Sequence, residues 1–294
     1  GYTSITKNIG SMKNEGFEIT LNTVNIDKKN FRWETTFNLS FNKNEVLSLG
    51  VGNDDIFPGP DILSASNNII RVGEPVGSFY GYKRLGTWGT NEAGEAKKYG
   101  LLPGDLKLWD KNNDYMINDA DKLIIGKGIP DGYGTLSNNI QYKNFEFLIE
   151  FQYMFGNDVL DISKHSAEDR TGIANSYKTV LNAWTPENQN TMIAQIRPVG
   201  AGYTTNIDSH FVENGSFIRG RNVLLAYNFP HDILSKLSLR NLKVYGSIQN
   251  FLLTTKYKGF DPEVSDATQS FAQGITVFGY PKPRTFTIGL NVSF

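Results

Sequence analysis

The chain has 294 residues, no cysteine and almost balanced charge, with 29 Lys and Arg against 30 Asp and Glu. Without cysteine there are no disulfide staples, thiolate metal sites or cysteine nucleophile, and the charge balance leaves no broad basic field for nucleic acid or anionic lipid. Mean hydropathy is negative and no apolar run is long enough for a transmembrane helix, so any passage through a membrane has to use strands.

The opening residues, Gly1 to Thr6, carry neither the charged nor the apolar region of a signal peptide, and no methionine starts them; a processed chain or a fragment of a longer one is expected. Strand alternation begins at Phe17, Ile19 and Leu21 against Glu18, Thr20 and Asn22. It resumes at Phe31, Trp33, Thr35, Phe37, Leu39 and Phe41 against Arg32, Glu34, Thr36, Asn38 and Ser40. Side chains of opposite parity leave opposite faces of a strand, so each segment presents one apolar and one polar side. A third strand is predicted over 134–142, with a turn at Lys143-Asn144. The return strand sets Phe145, Phe147, Ile149, Phe151, Tyr153 and Phe155 against Glu146, Leu148, Glu150, Gln152 and Met154. Further strands are predicted over 217–227 and 239–251. The last eleven residues alternate Phe286, Ile288, Leu290, Val292 and Phe294 with Thr285, Thr287, Gly289, Asn291 and Ser293. About ten residues per strand suffices to cross a bilayer at a tilt.

The connections alternate between short turns, near 24–30, 143–144 and 229–238, and long excursions over 43–133, 157–215 and 252–283. Tight periplasmic turns and long extracellular loops make this asymmetry in bacterial outer-membrane barrels, and a soluble sandwich has no reason to obey it. The expected fold is therefore all-β: an antiparallel transmembrane β-barrel portion of about seven strands, with the C-terminus periplasmic and the long loops extracellular. About seven strands cannot close a barrel, and an open edge in lipid leaves backbone groups unpaired. An N-terminal barrel portion, in the same protein or on another chain, has to supply the rest.

Phrases spread over nearly the whole chain resemble the C-terminal barrel region of SusC/RagA-type TonB-dependent transporters of the Bacteroidetes. They run through Asn8 to Glu18, Trp33, Asn42-Lys43-Asn44, Val72 to Tyr82, Pro103-Gly104-Asp105-Leu106-Lys107, Ser216-Phe217-Ile218-Arg219, Tyr257 to Glu263 and Tyr280 to Thr285. The resemblance implies a barrel of about 22 strands, a plug domain within it and a SusD-like surface lipoprotein over it. It implies import of a glycan or a peptide driven through TonB. No plug or TonB box is recognisable in these residues, so energy coupling would reside in the missing portion.

Asp110-Lys111-Asn112-Asn113-Asp114-Tyr115-Met116-Ile117-Asn118-Asp119-Ala120-Asp121 spaces oxygen donors as a calcium loop does. Asp110, Asn112 and Asp114 take the first, third and fifth positions, Met116 offers its carbonyl and Asp121 closes the loop. Such a Ca²⁺ would be structural, and the family carries a similar Asp-rich loop. Tyr115 stands where glycine is usual, and Asp121 is shorter than the customary glutamate. The alternative is an acidic turn held by Asx hydrogen bonds.

No catalytic constellation is present. His165, His210 and His231 are scattered, and Asp161, His165 and Asp169 read as a solvated helical face. Glu18, Arg32, Glu34, Glu146 and Glu150 would face the lumen, lining the path or packing on a plug. In the loops Phe79, Tyr80, Tyr82 and Trp88 could stack on sugar rings, although together with Trp109 they read better as packing for a loop hairpin. The spacing of Tyr177, Val180, Leu181 and Trp184 predicts a short helix over 175–184, ended by Pro186. Two other readings compete with nutrient import: a structural outer-membrane scaffold for a lipoprotein complex, and a soluble calcium-dependent glycan-binding β-protein.

Overall fold

The computed structural model describes residues 8, 10–58, 68–168, 175–197, 206–264 and 273–294. Seven long strands dominate it: β1 (Gly10–Lys28), β2 (Phe31–Leu49), β3 (Gly132–Tyr142), β4 (Phe145–Phe155), β5 (Phe217–Asn228), β6 (Asn241–Thr255) and β7 (Thr285–Ser293). They form one antiparallel sheet in which each strand lies beside its neighbours in sequence. Among the described residues no helix is long and apolar enough to cross a membrane.

Register carries the sequence alternation across the whole sheet. Directly paired residues in antiparallel strands project to the same side. One row therefore runs Asn22, Thr36, Ser137, Glu150, Asn222, Gln249, Thr285 through all seven strands. On the opposite face Phe31, Tyr142, Phe145, Tyr227, Val244 and Leu290 form a row, and Trp33, Ile140, Phe147, Leu225, Gly246 and Ile288 form the next. Large apolar side chains on this second face stand open, with Leu21 54% and Ile288 90% exposed. So extensive an apolar surface is unstable in water and suited to lipid.

Aromatic side chains gather at two heights on the apolar face. At the short-turn end Phe31 meets Tyr142, Phe145 meets Tyr227, and Tyr227 meets Phe229 at 5.1 Å. Toward the other end Phe41 lies between Phe17, at 4.7 Å, and Phe155, at 5.6 Å. Phe31 and Phe41 are ten residues apart on β2, which at ~3.3 Å per residue and a tilt of about 40° separates the bands by about 25 Å. That matches the apolar height of an outer-membrane barrel. Within this face Tyr153 lies over Gly134 and donates to the Asn38 carbonyl at 2.7 Å; a Cβ on Gly134 would sit 2.0 Å from that same oxygen.

The first short connection, expected near 24–30, is confined to Lys29-Asn30 because β1 runs on to Lys28; the turn at Lys143-Asn144 is as expected, with Lys143 left-handed at φ 54°. The connection from β5 to β6 instead holds a helix, α1 (His231–Lys236), whose Leu234 is buried. The helix predicted over 175–184 is only a 3-10 turn, Lys178–Asn182. Tyr177 and Leu181 stay exposed and, of the four apolar residues at helical spacing, Trp184 alone is buried, too little of a stripe to hold an α-helix in place.

The three excursions fold together at one end of the sheet. Phe79 from the first, Leu160, Ile162, Ile207 and Phe211 from the second, and Ile275 from the third make one buried cluster. The short strand Asp158–Asp161 joins two of them, pairing antiparallel with Val212–Asn214 and parallel with Ile275–Thr276. Asp161 and His165 are buried here instead of forming a solvated face, because Asp161 ends that strand and accepts from the Tyr257 hydroxyl at 3.0 Å. Asp169 lies outside the described residues.

Candidate functional site: a polar wall beneath a folded loop cap

The polar face of the sheet is a continuous hydrogen-bonding surface. Thr20 donates to Asn38, Asn38 to Thr135 and Thr36 to Asn22, each across a strand boundary at 2.9–3.0 Å. Glu18, Arg32, Glu34, Glu146 and Glu150 all project from this face, since each is paired with a polar-row residue on its neighbour. Arg32 and Glu34, two apart on one strand, pair at 2.5 Å. Glu146 pairs with Lys243 two strands away at 2.6 Å, diagonally over the intervening strand, where Ala226 is opposite Glu146 and Asn228 opposite Lys243. Glu18 and Glu150 make no ion pair among the described residues.

The loop aromatics divide by burial. Phe79, Tyr82 and Trp88 are buried, 4% exposed or less. Burial, with Asp119 and Asp121 nearby, pushes the Tyr82 phenol up to about 12, so it stays protonated. Trp88 is covered by Tyr99 at 5.5 Å and by the Lys107 ammonium at 4.6 Å. Tyr80 is half-buried, flanked by Phe57 and by Arg71, whose guanidinium holds Asp55 through two hydrogen bonds of 2.9 and 2.7 Å. Trp109 keeps an exposed ring, beside Lys83.

The Asp-rich loop wraps on itself. Asp110 accepts from the amides of Asn113 and Tyr115 and from the Tyr99 hydroxyl, and Asp121, fully buried, accepts from the amides of Lys111 and Asn118. Asn112 and Asp114 bond to each other at 2.9 Å, and Asp114 accepts from the Met116 amide. Burial alone would raise the Asp110 carboxyl, but the donors aimed at it outweigh burial and hold it below the usual carboxylate range. Tyr115 takes the left-handed backbone, φ 62°, that favours glycine. Its ring is held by Tyr99 at 5.4 Å and Lys98 at 5.0 Å, packing that offsets the strain. The donors are hard oxygens suited to Ca²⁺. Among the described residues, however, no three His, Cys, Asp or Glu side chains converge as a metal set.

Long-range ion pairs also fasten the cap. The fully buried Arg84 donates through Nε and Nη2 to Asp208 at 2.9 and 2.6 Å, and through Nη1 to the Met192 carbonyl. Arg197 pairs with Asp105, and Arg219, at the rim of β5, pairs with Asp261 at 2.6 Å. His210 contacts Glu168 at 2.7 Å, with Thr179 donating to the same carboxylate. No local pattern announces such pairs, because Arg84 and Asp208 stand 124 residues apart.

No family model matches the chain. Over its full length the chain is 37% identical to TonB-dependent receptor P3 of Formosa agariphila and 38% identical to receptor P26 of the same organism, covering 30% of each. It is 29% identical to the TonB-dependent receptor SusC of Bacteroides thetaiotaomicron, over 99% of this chain and 27% of that protein. The chain thus spans under a third of the length of these curated relatives. The RagAB peptide importer in its closed-closed state superposes on 98% of the chain with a TM-score of 0.77 at 24% identity, covering 30% of the importer chain. The RagAB peptide transporter gives 0.78 over 97% of the chain and 29% of its own. The polar and apolar faces, the aromatic bands and these likenesses together make the chain similar, over its whole length, to one segment of TonB-dependent receptors, SusC among them, with the fold of the matching part of the RagAB importer.

Proposed function

We propose that this chain supplies barrel wall and outer loop cap to a TonB-dependent importer of a bulky nutrient, a glycan or a peptide, in the bacterial outer membrane. The observation that carries the reading is the unbroken polar row from Asn22 to Thr285, backed by an exposed apolar face. Such a wall suits an aqueous, plugged lumen inside lipid. On this reading the long excursions are extracellular, a SusD-like lipoprotein docks above them, and TonB acts through a plug in the missing portion. The relatives support import as the class of activity and leave the cargo open. The test uses the full-length protein in cells offered a mixture of dextrins and tryptic peptides, with mass spectrometry of what disappears from the medium. TonB-dependent depletion of one class supports import; co-purification of a lipoprotein without any depletion overturns it in favour of a scaffold.

The Asp110–Asp121 loop is, on the same reading, a structural Ca²⁺ site using Asp110, Asn112, Asp114, the Met116 carbonyl and Asp121. The hard oxygen donors and the left-handed turn at Tyr115 support it. Calcium titration followed by isothermal calorimetry, with Asp110→Ala and Asp114→Ala as controls, is expected to show one cation lost in both variants. No heat in the parent protein would reduce the loop to an Asx-bonded turn.

A further inference from the structure

At the short-turn end of the sheet the charges divide between its two faces. On the polar face they neutralise one another: Arg32 lies between Asp27, at 3.7 Å, and Glu34, and Lys243 holds Glu146. On the apolar face and in the turns the balance is one-sided. Lys28 pairs in register with Phe31 and so extends the apolar row that runs through Tyr142, Phe145 and Tyr227. Lys29 and Lys143 occupy the two tight turns, Lys236 ends α1, and Arg240 stands just before β6. All five cations are exposed, and among the described residues none makes an ion pair. The connections 29–30, 143–144 and 229–240 hold a single carboxylate, Asp232.

These cations border an aromatic band. The Lys143 ammonium lies 5.5 Å from the centre of the Tyr142 ring, and the rings of Tyr142 and Phe145 are themselves half exposed. The helix α1 begins just after Phe229, whose ring packs on Tyr227 at 5.1 Å. One turn apart on α1, Ile233 and Leu237 stay open although Leu234 is buried. Open apolar side chains beside a lysine suit a helix lying in a membrane interface. Aromatic rings settle at headgroup level, and lysine stems run along apolar surface to bring their charge to the same level. The other end of the β1–β2 hairpin is built differently. There Lys13 pairs with Glu15 and Lys43 with Glu45, and register sets each lysine opposite the glutamate of the other strand. An anionic surface meets as much repulsion as attraction at that quartet.

We propose that the short-turn end is a docking collar for anionic phospholipid headgroups, held by Lys28, Lys29, Lys143, Lys236 and Arg240. A phospholipid fits both halves of the surface: its phosphate meets the unpaired cations beside the aromatic band, and its acyl chains lie along the exposed apolar rows that continue from Phe31 and Tyr142. Each lysine or arginine close to an anionic membrane surface strengthens attachment about fivefold. The collar rests on the reading of the sheet as barrel wall in lipid, and on the import reading its leaflet is the periplasmic one.

The experiment places a photo-reactive amino acid at Asn30, between β1 and β2, in the full-length protein reconstituted into vesicles of equal phosphatidylcholine and phosphatidylglycerol. Both leaflets are then alike, so the direction of insertion does not matter. After illumination, mass spectrometry counts the adducts of each lipid. Phosphatidylglycerol adducts are expected to predominate. Their ratio to phosphatidylcholine adducts is expected to fall at least about fivefold when Lys29→Gln and Lys143→Gln are combined, and to fall in molar salt. Lys256→Gln with Arg284→Gln removes two cations that also make no ion pair among the described residues but stand at the opposite end of β6 and β7. That variant is expected to leave the ratio unchanged. Heat-modifiable migration on gels checks that the variants fold. Equal adducts, a ratio unmoved by the first pair, or one moved alike by the second overturns the proposal. Capture of peptidoglycan in place of lipid at Asn30 in intact cells also overturns it, by assigning the cations to the cell wall. A protein that does not float with the vesicles sinks the barrel reading itself, whereas flotation with equal adducts sinks the collar alone.

Discussion

A guanidinium with no exposed surface has to be neutralised where it lies, and Arg84 meets that need with Asp208, the Met192 carbonyl and the face of Phe211 at 4.8 Å. Asp208→Ala leaves a buried cation without its counter-charge, at an expected cost of about 3–5 kcal/mol. Replacing both partners by apolar residues of similar volume is expected to cost far less. Hydrogen exchange in the excursions reads both outcomes, and equal losses would show that packing, not charge, decides this site. Acid acts at a different residue. The lowered Asp110 carboxyl contributes stability that is fully present above the unfolded value near ~3.9 and lost as pH falls through the folded one. Amide exchange at Asn113 and Tyr115 is therefore expected to stay slow at neutral pH and to accelerate only in strong acid. Acceleration already near pH 6 would mean that another group holds the loop.

At the scale of the element, alternation tells which side of each strand meets which solvent. Leu21 and Asn22 are neighbours on β1, but Leu21 pairs with Phe37 on the apolar face and Asn22 with Thr36 on the polar one. Leu21→Arg near mid-height is expected to destabilise the barrel by about 2–4 kcal/mol, whereas Asn22→Arg is expected to be nearly neutral. Unfolding of the full-length barrel in lipid vesicles by guanidinium compares them, and equal effects would refute the assignment of faces. The seven strands were legible because period-two alternation is a local signal that each segment carries by itself. Their ends were not: β1 continues to Lys28 past Thr23 and Asn25, and β6 to Thr255. Pairing with a neighbouring strand there outweighs a weak alternation. The helix α1 also escaped, because six residues are too few for a periodic signal.

For the whole molecule, the cap behaves as one body because its core draws on all three excursions. Phe211 has no exposed surface and touches both Arg84 and His165. Phe211→Ala is expected to cost about 3–5 kcal/mol of cap stability. Hydrogen exchange is expected to rise together in segments 78–81, 158–162 and 275–276 while β1–β4 remain protected. A rise confined to the second excursion would show that the loops fold separately. The wall and cap also lack closure by themselves, since β1 and β7 each end the sheet with one unpaired edge. In lipid those edges have to be paired by further strands.

The sequence by itself determined the strands, their two faces and the resemblance to TonB-dependent receptors, because alternation and short ordered phrases are written in neighbouring residues. It also located the Asp-rich loop, whose Asx hydrogen bonds span only a few positions. Only the tertiary structure decided that Phe79, Tyr82 and Trp88 are buried, that Arg84 reaches Asp208, and that Glu146 meets Lys243. Most of those depend on partners distant in the chain, and their meeting is set by strand register and by the packing of one excursion on another. Register is a property of pairs of strands, and no single segment encodes it.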